Sequence, residues 1–235
     1  MYSERLLESL PRVRDEIGQA AHRAGRDPAE ITLVAVTKSH PMECVQAALN
    51  AGLRELGENR VAELEEKRAE FAGAEGVRWH MIGAVQSRKA DRLVGLADLV
   101  HSVDRLKIAN RISGKADEDG VQVAVLAQVN TSGEEAKSGF AADDPAVVDR
   151  LLEVASLPGL RLEGLMTMAP FVEDESVLRP TFRRLRETLQ AVQAQDPRVG
   201  GTLSMGMTND LELAIEEGST MVRIGTALFG PRPGY

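Results

Sequence analysis

Apolar positions recur along the chain with two alternating periods. Leu6, Leu10, Val13, Ile17, Ala20 and Ala24 fall at steps of four and three, one face of a helix that Gly25 is placed to stop. The run from Ile31 to Thr37 is almost continuously apolar, which predicts a short strand buried on both faces. Further strands are expected at 54–58, 77–82, 98–103, 121–129, 160–168, 202–205 and 221–229. Helices lie between them. Ser39-His40-Pro41 and Asp143-Asp144-Pro145 each open one, with proline near the first helical position, where its missing N–H costs nothing. Val148, Leu151, Leu152 and Ala155 give the second of these its apolar face, and Leu178, Phe182, Leu185, Leu189 and Val192 mark a longer helix. Asn209-Asp210-Leu211-Glu212 is a capping arrangement for the last helix, and Gly218 ends it.

Eight strands alternating with helices, without a long linker, predict a parallel α/β fold. The strand count and length fit a (β/α)8 TIM-type barrel, one domain over residues 1–235. An open doubly wound sheet competes, but the G-x-G-x-x-G turn of its dinucleotide-binding form is absent after the first strand. Only Pro-Arg-Pro-Gly-Tyr follows Gly230, so no helix is expected after the eighth strand, and the extra N-terminal helix is expected to fill that gap.

Composition narrows the function classes. With 36 acidic against 28 basic side chains, the net charge of −8 argues against a general nucleic-acid or anionic-membrane binder. No apolar run approaches the roughly 18 residues needed to span a bilayer, and the N-terminal stretch is amphipathic and unlike a secretory core. Cys44 alone builds neither a disulfide framework nor a cysteine-rich zinc site. His22, His40, His80 and His101 share no ligand-like spacing, so no metal site is expected. A soluble, cytoplasmic monomer is the expectation.

In a barrel the informative positions are the C-terminal ends of the strands. They carry Lys38, Asn59, His80 with Gly83, Asp104, Asn130, Thr167, Ser204-Met205-Gly206 and Arg223-Ile224-Gly225-Thr226. Strand alternation puts Lys38 on the face of Val34 and Val36, where lost hydration favours the neutral amine that attacks an aldehyde. The ordinary alternative is a lysine that snorkels to the rim or pairs with Glu58. Ser204-Met205-Gly206 and Gly225-Thr226, after strands seven and eight, stand where barrels often bind phosphate, or are simply tight turns. Arg223, among Met221, Val222 and Ile224, is expected to point inward to a partner. An amine, a phosphate cradle and an inward cation together describe a pyridoxal 5′-phosphate site. Lys137-Ser138-Gly139 reads as a charged turn or as a second amine for the cofactor. The run from Glu63 to Glu70 reads as a solvated helix face.

Six blocks in order carry a resemblance over nearly the whole chain: 33–38 (Leu-Val-Ala-Val-Thr-Lys), 57–60 (Gly-Glu-Asn-Arg), 79–83 (Trp-His-Met-Ile-Gly), 137–139, 203–210 (Leu-Ser-Met-Gly-Met-Thr-Asn-Asp) and 222–226 (Val-Arg-Ile-Gly-Thr). The sequence resembles the pyridoxal-phosphate homeostasis protein family, similar in fold to the alanine racemase barrel domain. The resemblance implies that Lys38 holds the cofactor as an imine, that Arg223 faces its pyridine nitrogen, and that Asn59 meets its polar edge. It implies that Ser204, Gly225 and Thr226 hold the phosphate, with Met205 and Gly206 shaping the loop. It further implies a carrier or regulator of the free cofactor pool, with dependent apoenzymes as recipients and no established turnover. An amino-acid racemase and a lysine-dependent aldolase are the alternatives; Tyr2 and Tyr235, the only tyrosines, lie at the chain ends. Two departures stand out: Ala84-Val85-Gln86-Ser87-Arg88-Lys89 replaces the family's Pro-Leu-Gln-x-Asn-Lys, and Thr208 replaces a serine.

Overall fold

The apolar runs become parallel strands in a computed structural model that describes residues 1–134 and 137–232. They are β1 (Thr32–Val36), β2 (Glu55–Glu58), β3 (Arg78–Met81), β4 (Leu99–Val103), β5 (Val123–Asn130), β7 (Leu160–Met166), β8 (Thr202–Ser204) and β9 (Met221–Ile224). They pair in that order, and β9 returns to β1 with Arg223 opposite Val34, so the sheet closes into a barrel. A further two-residue strand, β6 (Phe140–Ala141), pairs only with the end of β5. The expected barrel is present.

Two layers of apolar side chains result from the strand alternation. Val34, Leu99, Ala124, Leu126, Met166 and Met221 meet inside the barrel, while the opposite faces pack beneath the helices. Those helices are α1 (Tyr2–Arg23), α2 (Met42–Asn50), α3 (Val61–Glu70), α4 (Leu106–Glu118), α5 (Val147–Ala155), α6 (Glu175–Gln195), α7 (Leu211–Glu216) and α8 (Thr226–Phe229). After β3 the connection is a 3-10 helix, Ser87–Leu93.

The extra helix α1 buries Leu6, Leu10, Val13, Ile17 and Ala20 and packs against α2, α7 and α8, filling the expected gap. The last strand, however, is shorter than the sequence predicts. It ends at Ile224, and residues 226–229 form the short helix α8 with Leu228 and Phe229 buried. A short apolar run fits a buried strand and a buried helical turn equally well, and here Gly225 separates the two. Among the described residues no helix is long and apolar enough to cross a membrane.

Candidate functional site

Lys38 stands in the turn that leaves β1, half-buried. Burial pulls its ammonium below the ordinary lysine value, and the cations Arg232 and Arg223 add to this against Glu58 and Glu63. Its amine has no hydrogen-bond partner among the described residues. The turn itself is held firmly. Ser39 adopts φ of 60°, in the left-handed region, and its N–H donates to Glu63 Oε1 at 2.6 Å. Lys67 Nζ donates to the Thr37 carbonyl at 2.7 Å, to Glu58 Oε1 at 2.9 Å and to Glu63 Oε1 at 2.8 Å.

Two expectations change here. Glu58 pairs with Lys67, so the ordinary reading of Lys38 as an ion-pair partner of Glu58 does not hold. Lys67 is only 2% exposed, so α3 is no uniformly solvated face. Sequence periodicity gave no warning, because a long stem can carry a charge inward from a polar helix when carboxylates await it. Burial raises the Glu58 carboxyl to about 7, with Lys67 and the Thr37 hydroxyl opposing. Its Oε2 is the one buried side-chain N or O atom without a partner among the described residues.

Around the rim, Asn59 is half-buried and its side chain bonds to nothing among the described residues. Gly83 lies against it so closely that a Cβ would stand 2.2 Å from the Asn59 carbonyl oxygen. Other strand ends serve local structure. Asp104 pairs with Arg105, and Asn130 Nδ2 donates to the Glu134 and Lys137 carbonyls of its own loop. Lys137 binds Glu134 Oε1 at 2.9 Å and approaches the Met168 carbonyl at 3.5 Å.

Arg223 points into the barrel, as its apolar neighbours predict. It donates from Nη1 to Ser204 Oγ at 2.6 Å and from Nη2 to the Thr167 carbonyl at 3.0 Å. Burial lowers its guanidinium to about 10, opposed by Asp210. Ser204 is fully buried, and its hydroxyl also meets His101 Nδ1 at 2.9 Å. Met205 is turned outward into the core beneath the helices, so only its backbone can shape the loop. Gly206 has φ of 98°, and a Cβ there would meet Ala214 at 2.8 Å. Downstream, Thr208 is half-buried and Thr226 exposed, and neither hydroxyl has a partner among the described residues. Gly225 precedes α8, whose first N–H groups have no intrahelical acceptor.

The histidines hold the feature that sequence reasoning missed. His80 Nδ1 lies 2.9 Å from His101 Nε2, and His80 Nε2 lies 2.5 Å from Glu55 Oε2. His80 is therefore inside the barrel and tied toward its N-terminal end, away from the rim where it was expected. The signal was present in His80, between Trp79 and Met81, and in His101, after Leu99 and Val100, polar residues at inward strand positions. Their pairing across strands was not readable. Tyr2, terminal in sequence, folds back so that its hydroxyl meets His40 Nδ1 at 3.1 Å; Tyr235 lies outside the described residues.

Residues 9–233 match the family described as alanine racemase, N-terminal domain. A pyridoxal phosphate homeostasis protein of Pseudomonas aeruginosa is 45% identical over 229 residues, covering 97% of this chain and 96% of that protein. PipY of Synechococcus elongatus, in a structure with PLP bound, aligns with a TM-score of 0.79 and 34% identity, over 91% of this chain and all of that one. An alanine racemase of Clostridium difficile shares the fold at 16% identity and a TM-score of 0.78, and the match covers 98% of this chain but 58% of that enzyme. A closed parallel barrel with a lysine on the turn after its first strand and an inward arginine on its last, matched along its length by such relatives, belongs to the pyridoxal phosphate homeostasis proteins of the alanine racemase N-terminal domain family.

Proposed function

We propose that this protein binds pyridoxal 5′-phosphate through Lys38 and carries or regulates the cofactor pool without a turnover reaction of its own. The observation that carries the reading is Lys38 itself: a half-buried amine with no hydrogen-bond partner among the described residues, biased toward its neutral form by burial and two cations. A neutral amine attacks an aldehyde carbon, and loss of water leaves a C=N bond. Arg223 is the cation for the ring nitrogen, and Asn59 supplies polar contact at the ring edge. A guanidinium at that nitrogen disfavours its protonation, which weakens the ring as an electron sink.

For the phosphate we assign Gly225 and Thr226, with Met205 and Gly206 forming the loop opposite. The hydroxyl of Ser204 is engaged by Arg223 and His101, so we assign it to the ring-nitrogen side and give its place on the phosphate to Thr208. Relatives named for pyridoxal phosphate homeostasis, and PipY with PLP bound, support the reading. We extend it to a cytoplasmic monomer that hands cofactor to dependent apoenzymes.

Borohydride reduction of the loaded protein, followed by peptide mapping, tests the proposal. The pyridoxyl label is expected on Lys38, and Lys38→Ala is expected to lose the visible chromophore while retaining some cofactor. A label mainly on Lys137 or Lys89 would overturn the assignment.

A further inference from the structure

We infer that Glu55, His80 and His101 are positioning residues for Arg223: a buried relay, threaded through the barrel from its N-terminal end, that holds the guanidinium on the cofactor ring through Ser204. The inference rests on the cofactor reading above. Its starting point is an unbroken line of hydrogen bonds through an interior that is otherwise filled by Val34, Leu99, Leu126, Met166 and Met221. Arg223 Nη1 reaches Ser204 Oγ at 2.6 Å, Ser204 Oγ reaches His101 Nδ1 at 2.9 Å, and His101 Nε2 reaches His80 Nδ1 at 2.9 Å. His80 Nε2 ends the line on Glu55 Oε2 at 2.5 Å. Glu55 keeps 23% of its side chain exposed, whereas both imidazoles are wholly buried.

Chemistry sets the direction of every bond. Arginine can only donate, so Ser204 accepts from it and must place its own proton elsewhere. The remaining neighbour is His101 Nδ1, which therefore accepts. Burial foremost, with the charge of Arg223 adding to it, holds His101 well below the ordinary histidine value, so it is neutral and carries its proton on Nε2. That proton goes to His80 Nδ1, and His80 donates from Nε2 to Glu55. Burial pushes Glu55 upward, but its bond to His80 and the nearby Arg78 hold it below the usual carboxylate value, so it is ionised. The line thus has a cation at one end, an anion at the other and two neutral imidazoles between, with each donor matched to an acceptor. In the reverse direction His101 and Arg223 would both donate to Ser204, and the hydroxyl proton would have no acceptor among the described residues.

The relay fixes one of the guanidinium's five N–H groups, and the Thr167 carbonyl, 3.0 Å from Nη2, fixes a second. The remaining donors are left for the cofactor ring, with their plane already set. Replacing the imidazoles by apolar groups would fill the barrel equally well but release that plane.

The test uses the full chain loaded with pyridoxal 5′-phosphate. His101→Phe keeps a planar ring, slightly larger than the imidazole, and removes both nitrogens. We expect the visible band and its pH midpoint to move in the direction that Arg223→Gln moves them, with cofactor release faster by about tenfold. The double variant is expected to go no further than Arg223→Gln alone, because both act through one group. An unchanged band in His101→Phe, or effects that simply add, would overturn the inference. Should His101→Phe fail to fold, Glu55→Gln retains an acceptor for His80 at the partly exposed end and removes the charge. A smaller shift of the same sign is expected from it, and no shift would count against the relay. Nitrogen-15 NMR of the unloaded protein judges the relay independently of the cofactor: His101 protonated on Nε2 supports it, and on Nδ1 refutes it. A wild-type protein with no chromophore would instead sink the function proposed above.

Discussion

Lys67 Nζ lies 2.9 Å from Glu58 Oε1 in the layer between the barrel and α3, and the same ammonium grips the Thr37 carbonyl at 2.7 Å. The pair thereby anchors the residue that immediately precedes Lys38. Above pH 7, where Glu58 is ionised, removing Lys67 leaves it as an uncompensated buried charge. Lys67→Ala is therefore expected to cost about 3–5 kcal/mol. Lys67→Met combined with Glu58→Gln is expected to cost less, because no fully buried charge is stranded and Glu63, the other partner of Lys67, is partly exposed. Urea unfolding reads both, as a lower midpoint at constant slope. A loss below about 1 kcal/mol in Lys67→Ala would place the pair with exposed ion pairs and refute its anchoring role.

Glu58 also makes stability depend on pH. Burial lifts its carboxyl to about 7 in the folded chain, against about 4.3 when unfolded. Between those values the folded state holds a proton that the unfolded state lacks, so this contribution is full at low pH and is lost as pH rises through the window. Glu58→Gln removes it. Unfolding at pH 5, 6, 7 and 8 is expected to show a steeper decline for the wild type than for the variant. Parallel curves would contradict the assignment.

Ser39 pays a backbone penalty to shape the turn after Lys38. With φ of 60°, it occupies a region that β-branched side chains strongly resist. Ser39→Val is expected to destabilise by about 1–2 kcal/mol, and Ser39→Gly to stay within about 0.5 kcal/mol of the wild type. The same denaturation measurement decides it, and equal behaviour of the two variants would mean that the turn is free to relax.

The proposed phosphate anchor and the ring-nitrogen anchor are separable by ligand. Thr208→Val and Thr226→Val are each expected to weaken pyridoxal 5′-phosphate by about 1–3 kcal/mol, the scale of a hydrogen bond to a charged group. Pyridoxal, which lacks the phosphate, should be nearly indifferent to both. Ser204→Ala should weaken the two ligands alike, because its hydroxyl acts through Arg223. Equilibrium binding of both ligands to each variant makes the comparison. A Ser204→Ala loss confined to the phosphorylated ligand would return that residue to the phosphate.

Racemisation needs a base on each face of the substrate α-carbon, and Lys38 serves one. The hydroxyl of Tyr2 is engaged by His40, and His80 is held by Glu55 and His101 inside the barrel. Loaded protein incubated with L- and D-amino acids in deuterated water is thus expected to show slow deuterium uptake with retained configuration. A missing base costs about 10²–10⁴-fold, so exchange on one face can persist. Rapid interconversion of enantiomers, seen by chiral analysis, would overturn the carrier reading.

Much of this protein follows from sequence alone, because the determining interactions are local or periodic. The step of four and three through Leu6, Leu10, Val13 and Ile17 predicts a helix whatever it packs against, and continuous apolar runs predict strands buried on both faces, a reading that fails only where 226–229 turn into a short helix. A strand end next to apolar walls was enough to single out Lys38, and a lone arginine among Met221, Val222 and Ile224 was enough to turn Arg223 inward. Tertiary structure decided the pairings. Lys67 looked like any lysine on a charged helix until Glu58 and the Thr37 carbonyl, on neighbouring strand ends, gave its ammonium partners out of water. Ser204 reads from sequence as a small hydroxyl at a strand end, and only barrel closure brings His101 from across the interior and Arg223 from the neighbouring strand onto that hydroxyl. His80 and His101, 21 residues apart, meet only because adjacent parallel strands place their inward positions side by side. Sequence shows what each residue can donate, accept or bury, but only the closed barrel shows which groups come within 3 Å of one another, and hydrogen bonds of that length set the charge and aim of the site.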